Sequence, residues 1–164
     1  MAAGGRRSTK LAADAMLGSM ARKLRAFGFD TTYMKAKSDS AVLSSCSRQK
    51  RVLLTADREL AFSAGKRGVN AILVSGETDR ARLKVMLGVA AKMGLRLTRG
   101  EPRCSTCNGS LIKLNPPGVR GRVPDSVYRR HRIFFKCRDC GQIYWKGGHW
   151  KKLRRLEALL ENQP

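Results

Sequence analysis

Acidic residues are scarce in this chain: 12 Asp and Glu stand against 34 Lys and Arg, a formal charge of +22 and a pI of about 10.9. A field of that sign repels itself unless a polyanion neutralises it, so nucleic acid is the expected partner. The excess is spread along the chain. Residues 1–99 hold 20 basic and 7 acidic side chains and residues 100–164 hold 14 and 5, +13 and +9, so the contact surface is expected to span both parts. Long apolar runs are lacking too. No stretch reaches the roughly 20 residues of a membrane helix, which predicts a soluble chain without a membrane partner. No apolar run follows Met1 as a secretory leader requires, so a reducing intracellular compartment is expected and disulfides are not. Histidine is limited to His131 and His149, and no small-molecule cofactor is expected.

What is present in quantity for its size is cysteine in one place. Four of the five cysteines form Cys104-Ser-Thr-Cys107 and Cys137-Arg-Asp-Cys140. Two CxxC pairs offer two thiolate grips, which complete the tetrahedral shell that Zn²⁺ prefers in closed structural sites. Asn108-Gly109 and Gly141 supply turns beside the knuckles. Four thiolates fill the shell, so His131 and His149 are not expected as ligands. Between the knuckles lie Pro116-Pro117-Gly118 and a basic run from Arg129 to Arg132, and little core is expected there. Metal binding is expected to supply the folding free energy that such a segment lacks.

The first hundred residues alternate short apolar runs with helical patterns. Strands are expected at Lys10–Ala13, 29–34, 51–55 and 70–75, with a fifth candidate at 95–98. Helices are expected at 17–27, after a Ser38 cap, at 58–66 and at 79–93, with Gly28 and Gly94 as stops. Such alternation predicts a parallel sheet covered on both faces, with ligands bound beyond the carboxyl ends of its strands. Asp14, Asp39, Asp57, Glu77 and Asp79 all fall at that edge, and Asp30 falls at the opposite one. Carboxylates gathered so repel unless a cation sits among them, and their oxygens suit Mg²⁺ or Mn²⁺. An ion flanked by basic surface is arranged for phosphodiester hydrolysis. Taken singly, Asp39 reads equally as a helix N-terminal charge and Asp57 as a cap. Glu59 and Asp79 read as solvated helix charges.

Two runs then coincide with a known family. Asp14-Ala-Met-Leu-Gly18 through Arg22, Arg25, Gly28 and Asp30, followed by Leu54-Thr-Ala-Asp57-Arg-Glu-Leu60, resembles the Mut-seven C-terminal RNase domain family. So do Arg103-Cys-Ser-Thr-Cys-Asn-Gly109, Val123-Pro124, Val127-Tyr128 and Gly141-Gln-Ile-Tyr-Trp-Lys-Gly-Gly-His-Trp150, for a match over about residues 9 to 152. The resemblance implies a PIN-like α/β nuclease domain, a parallel sheet with flanking helices, followed by a small zinc ribbon held by four cysteines. It also implies an acidic set, Asp14, Asp39 and Asp57, that holds Mg²⁺ for RNA cleavage. Laid on this chain, it gives a basic arm at 1–9, a PIN-like domain at 10–99, a ribbon at 100–150 and a C-terminal helix and tail at 151–164.

Candidate RNA contacts follow from charge and aromatic content. Arg22 and Arg25 fall on the polar face of the first helix. Arg129, Arg130, Arg132, Lys136 and Arg138 form a cluster suited to phosphates, against the plainer reading of solvated charge. Trp145, Lys146, His149, Lys151 and Lys152 mix rings and cations and suit stacking with phosphate neutralisation. Equally, Tyr144 and Trp150 read as packing residues that join ribbon to sheet. Leu153, Leu156, Leu159 and Leu160 predict an amphipathic helix docking on the domain or on a neighbour. Cys46 reads as a buried small residue. The expected function is a divalent-metal-dependent ribonuclease acting on structured or ribosomal RNA. The alternative is a non-catalytic component of a ribosome or other ribonucleoprotein. A phosphoacceptor receiver domain wants an acidic pair after its first strand, and Ala13-Asp14 supplies one acid.

Overall fold

In the computed structural model, residues 8–161 are described, apart from the His149 side chain. The expected arm falls largely outside these residues, as does the end of the tail. Four parallel strands, β1 (Lys10–Ala13), β2 (Asp30–Tyr33), β3 (Val52–Thr55) and β4 (Ala71–Leu73), lie in the order β2-β1-β3-β4. The helices between them are α1 (Gly18–Ala26), α2 (Asp39–Gln49) and α3 (Arg58–Lys66), and α4 (Asp79–Lys92) follows β4. The side-chain alternation of a strand sorts the core into two layers. Leu11 and Ala13 of β1, with Val52 and Leu54 of β3, pack with Met20, Leu24, Leu83 and Met86 of α1 and α4. Ala12 and Leu53 face the other way, onto Val42, Leu43 and Cys46 of α2 and Leu60 and Ala64 of α3. Both sheet faces are therefore covered, the condition under which parallel strands persist.

Local chemistry sets the helix starts. Ser38, Asp57 and Thr78 each accept an amide hydrogen from the first turn of the helix that follows, filling the donors a helix leaves orphaned. Cys46 is 1% exposed, and burial pushes its thiol pKa up, as suits a packing residue.

Three segments differ from expectation. Residues 95–98 form no strand: Thr9 and Thr98 share a single rung, Thr9 N to Thr98 O at 2.9 Å and Thr98 N to Thr9 Oγ1 at 2.8 Å, too little for a ladder. The ribbon has more of a core than its polar composition suggests. Its strands β5 (Leu111–Leu114), β6 (Phe134–Cys137) and β7 (Ile143–Trp145) pair antiparallel, with helix α5 (Asp125–Arg130) between β5 and β6. Val119, Val123, Phe134 and Ile143 are buried together, with Trp145 packed against them. Last, α6 (Gly148–Glu161) begins three residues before the predicted start, so Trp150 belongs to a helix. Leu160 is buried in the α1/α4 layer, Leu153, Leu156 and Leu159 pack against it, and Arg99 pairs with Glu157 at 3.1 Å. The chain thus leaves the α/β layers after α4, builds the ribbon and returns.

Candidate functional site

The four thiols converge. Cys104 and Cys107 lie on the turn before β5, Cys137 ends β6 and Cys140 follows it, and their sulfurs all fall within 4.8 Å of one another. Cys107 Sγ is 3.4 Å from Cys137 Sγ, and Cys104 Sγ is 3.6 Å from Cys140 Sγ. A tetrahedron of sulfurs around Zn²⁺ has edges of about 3.8 Å, so the set fits that ion. Gly109 is required by space, because a Cβ there would stand 2.9 Å from Cys137 Sγ and collide with Asp139. The Tyr144 hydroxyl approaches Cys104 Sγ at 3.0 Å and is braced by Ser105 and Thr106. Burial raises the Cys104 pKa, yet the Tyr144 hydroxyl and the amides of Cys107 and Thr106 outweigh it and bring it to about 6. Desolvation and proton sharing with the other sulfurs push Cys107 up to about 12. Without a cation the cluster thus gives up its protons unequally, and a bound metal would replace them.

The first knuckle is bolted to the sheet by groups to which sequence reasoning gives other roles. Arg25 is expected from sequence at the RNA surface, but it is 5% exposed. Its Nε donates to Thr31 O at 2.8 Å, and its Nη1 donates to Ser105 O and Thr106 O at 2.9 and 3.0 Å. That guanidinium is spent inside the molecule, because carbonyls of β2 and of the knuckle converge on it. Asn108, in the left-handed region at φ 72°, accepts from Thr31 N at 3.0 Å and donates to Asp30 Oδ1 at 2.8 Å. It thereby covers the outer edge of β2, the edge strand of the sheet. Asp30 also pairs with Arg51 Nη1 at 2.9 Å, at the end of the sheet away from the other acids. Burial would raise the Asp30 pKa, but hydrogen bonds from Arg51 and Asn108 and their charge environment hold it below the usual carboxylate value.

At the carboxyl edge, Asp14 and Asp57 are joined through one hydroxyl. Asp14 is 6% exposed. Its Oδ1 accepts from Met16 N at 2.9 Å, and its Oδ2 accepts from Ala56 N at 3.2 Å and from the Thr55 hydroxyl. Thr55 Oγ1 in turn accepts from Asp57 N at 2.9 Å. Asp57 Oδ1 caps α3 through Glu59 N and Leu60 N at 2.7 and 3.1 Å, while its Oδ2 has no hydrogen bond among the described residues. Asp39 is exposed in the first turn of α2. Among the described residues, the four cysteines are the one group of three or more candidate ligands whose atoms gather within 4.8 Å. Asp14, Asp39 and Asp57 share the edge without closing to that distance. Asp79 is claimed by Lys23 and Ser19.

The remaining basic candidates sort by exposure. Arg22, Arg129, Arg130, Arg132, Arg138, Lys146, Lys151 and Lys152 are exposed and Lys136 is half-buried. Trp145 is half-buried against the ribbon core, so its ring serves packing there, and Lys146 Nζ lies 5.2 Å from the Trp150 ring centroid. Sequence reasoning gives Thr55 no role of its own, reads Tyr144 as a packing residue and reads Asn108 as a turn former. Thr55, just before Ala56-Asp57, and Asn108, before a glycine, carry a local hint only.

No curated protein and no solved structure matches this chain. A family match covers residues 9–156, the α/β layers and the ribbon together. With the cysteine cluster, the parallel sheet and the strand-end acids in place, that match establishes that the chain belongs to the Mut7-C RNAse domain family.

Proposed function

We propose that the chain is a divalent-metal-dependent ribonuclease, with Asp14, Asp39 and Asp57 as its acidic set. The observation that carries this reading is the Asp14–Thr55–Asp57 link at the carboxyl edge of the sheet. Family membership makes RNA the expected substrate or partner. Mg²⁺ is usually held by one or two carboxylates with several waters, and that loose shell suits Asp57 Oδ2 and the nearby Asp14, with Asp39 at the rim. When bound, the ion would activate a water and stabilise charge on the phosphate. The chain's own groups prepare the place. Amides of Met16 and Ala56 and the Thr55 hydroxyl fix the Asp14 carboxylate, and the first amides of α3 fix Asp57. The exposed arginines and lysines supply the phosphate-binding field.

Purified protein incubated with labelled RNA and Mg²⁺ or Mn²⁺, beside an Asp14→Asn, Asp57→Asn double variant, tests the assignment. Metal-dependent cleavage lost in the variant is expected, and cleavage that persists there rejects these residues. A second reading, an RNA-binding component of a ribosome or other ribonucleoprotein, is favoured by the charge of +22. It takes over if wild type binds RNA tightly in a salt-sensitive way and cleaves none.

A further inference from the structure

Helix α3 starts at the acidic edge, capped by Asp57, and runs back over the sheet. Leu60 and Ala64 point inward. Arg58, Phe62 and Lys66 follow at four-residue intervals, which lines them up along the outer side of the helix. Arg58 and Lys66 are exposed, and Phe62 keeps 65% of its surface in solvent. Lys66 Nζ lies over the ring, 4.5 Å from its centroid, so a cation already holds one face while the exposure of Phe62 leaves ring surface for a base. Each four-residue step advances about 6 Å, short enough for one nucleotide and its flanking phosphates to reach all three side chains.

We propose that this stripe binds single-stranded RNA, with one base stacked on Phe62 and neighbouring phosphates on Arg58 and Lys66. The ring requires an unstacked base, which a duplex does not offer, and the two cations require a polyanion. Because the stripe begins beside Asp57, a strand held on it is led toward the Asp14–Asp57 edge. The inference rests on the RNA reading of the site and adds the strandedness of the substrate.

The test uses the whole 164-residue chain, loaded with zinc, and fluorescence anisotropy with a short unstructured oligoribonucleotide and with a duplex of the same composition. Phe62→Ala and Phe62→Leu should both weaken single-strand binding by roughly fivefold to a hundredfold, the range of one lost base stack. Duplex binding should change by less than about twofold, and Phe62→Trp should restore the single-strand affinity. Arg58→Gln with Lys66→Gln should lower the slope of log affinity against log salt by about 1.4, for two phosphates of a single strand. Unaltered thermal unfolding in each variant keeps the comparison to binding. The inference is overturned if Phe62→Ala binds the single strand like wild type, if Phe62→Leu keeps full affinity as an apolar protein contact would, or if duplex binding falls in parallel. Wild type that binds neither RNA overturns the RNA reading along with it, whereas binding indifferent to Phe62 overturns this inference alone.

Discussion

The α/β layers and the ribbon are held together by different physics. Seventeen buried residues fill one side of the parallel sheet and nine the other, whereas four fill the ribbon core. Apolar burial at about 25 cal/mol per Å² can support the first region. It falls short for the second, where a segment of fewer than about fifty residues needs a staple. The lesson is that the two regions should fail separately, unless the Arg25 and Asn108 contacts tie their fates together.

Metal removal should break the comparison most sharply. Structural zinc sites contribute about 10–16 kcal/mol of apparent folding free energy at neutral pH. Stripping the metal with a chelator should therefore erase hydrogen-exchange protection in β5 to β7 while β1, β3 and β4 stay protected. Loss of protection in the sheet as well would mean that the two regions form one cooperative unit. Next in size is a hole in the larger core. Leu54 is fully buried in the α1/α4 layer, and Leu54→Ala should cost about 2–5 kcal/mol in urea unfolding while the cysteine site keeps its metal.

The tie itself is tested by Arg25→Met. It deprives the carbonyls of Thr31, Ser105 and Thr106 of their donor, at about 1–3 kcal/mol. Two separated unfolding transitions should appear where wild type shows a more concerted one. The smallest effect belongs to Asp30. Its folded pKa is depressed, so its contribution is present above the unfolded value and is lost as pH falls through the folded one. The stability difference between wild type and Asp30→Asn should therefore be largest near neutrality and shrink in acid below about pH 4, the ordinary carboxylate range. A difference that stayed flat over that window would remove charge from the explanation.

Much of the α/β region is legible in the sequence because its signals are local. The runs 11–13 and 52–54 are continuous and apolar, Ser38 and Asp57 are caps by type and position, and both strands and caps stand where the sequence puts them. The cysteine spacing points to the cluster for the same reason. The sequence misleads where the partner is distant along the chain. Residues 95–98 have strand composition but a single rung at Thr9. Trp145 reads as an RNA contact, and its packing against the small core built by Val119, Val123, Phe134 and Ile143 has no local signal.

The sequence alone determined the alternation that makes a parallel sheet, the four-thiolate site and the family, since each rests on residue types at short fixed spacing. Only the tertiary structure decided that Arg25 is a clamp, that Thr55 links Asp14 to Asp57, and that α6 returns to the first domain. The deciding contacts, Arg25 with Ser105, Thr55 with Asp14 and Leu160 with the α1/α4 layer, each join groups tens of residues apart. A buried guanidinium or hydroxyl takes whichever carbonyl or carboxylate the fold brings within about 3 Å, and no local pattern specifies which one that is.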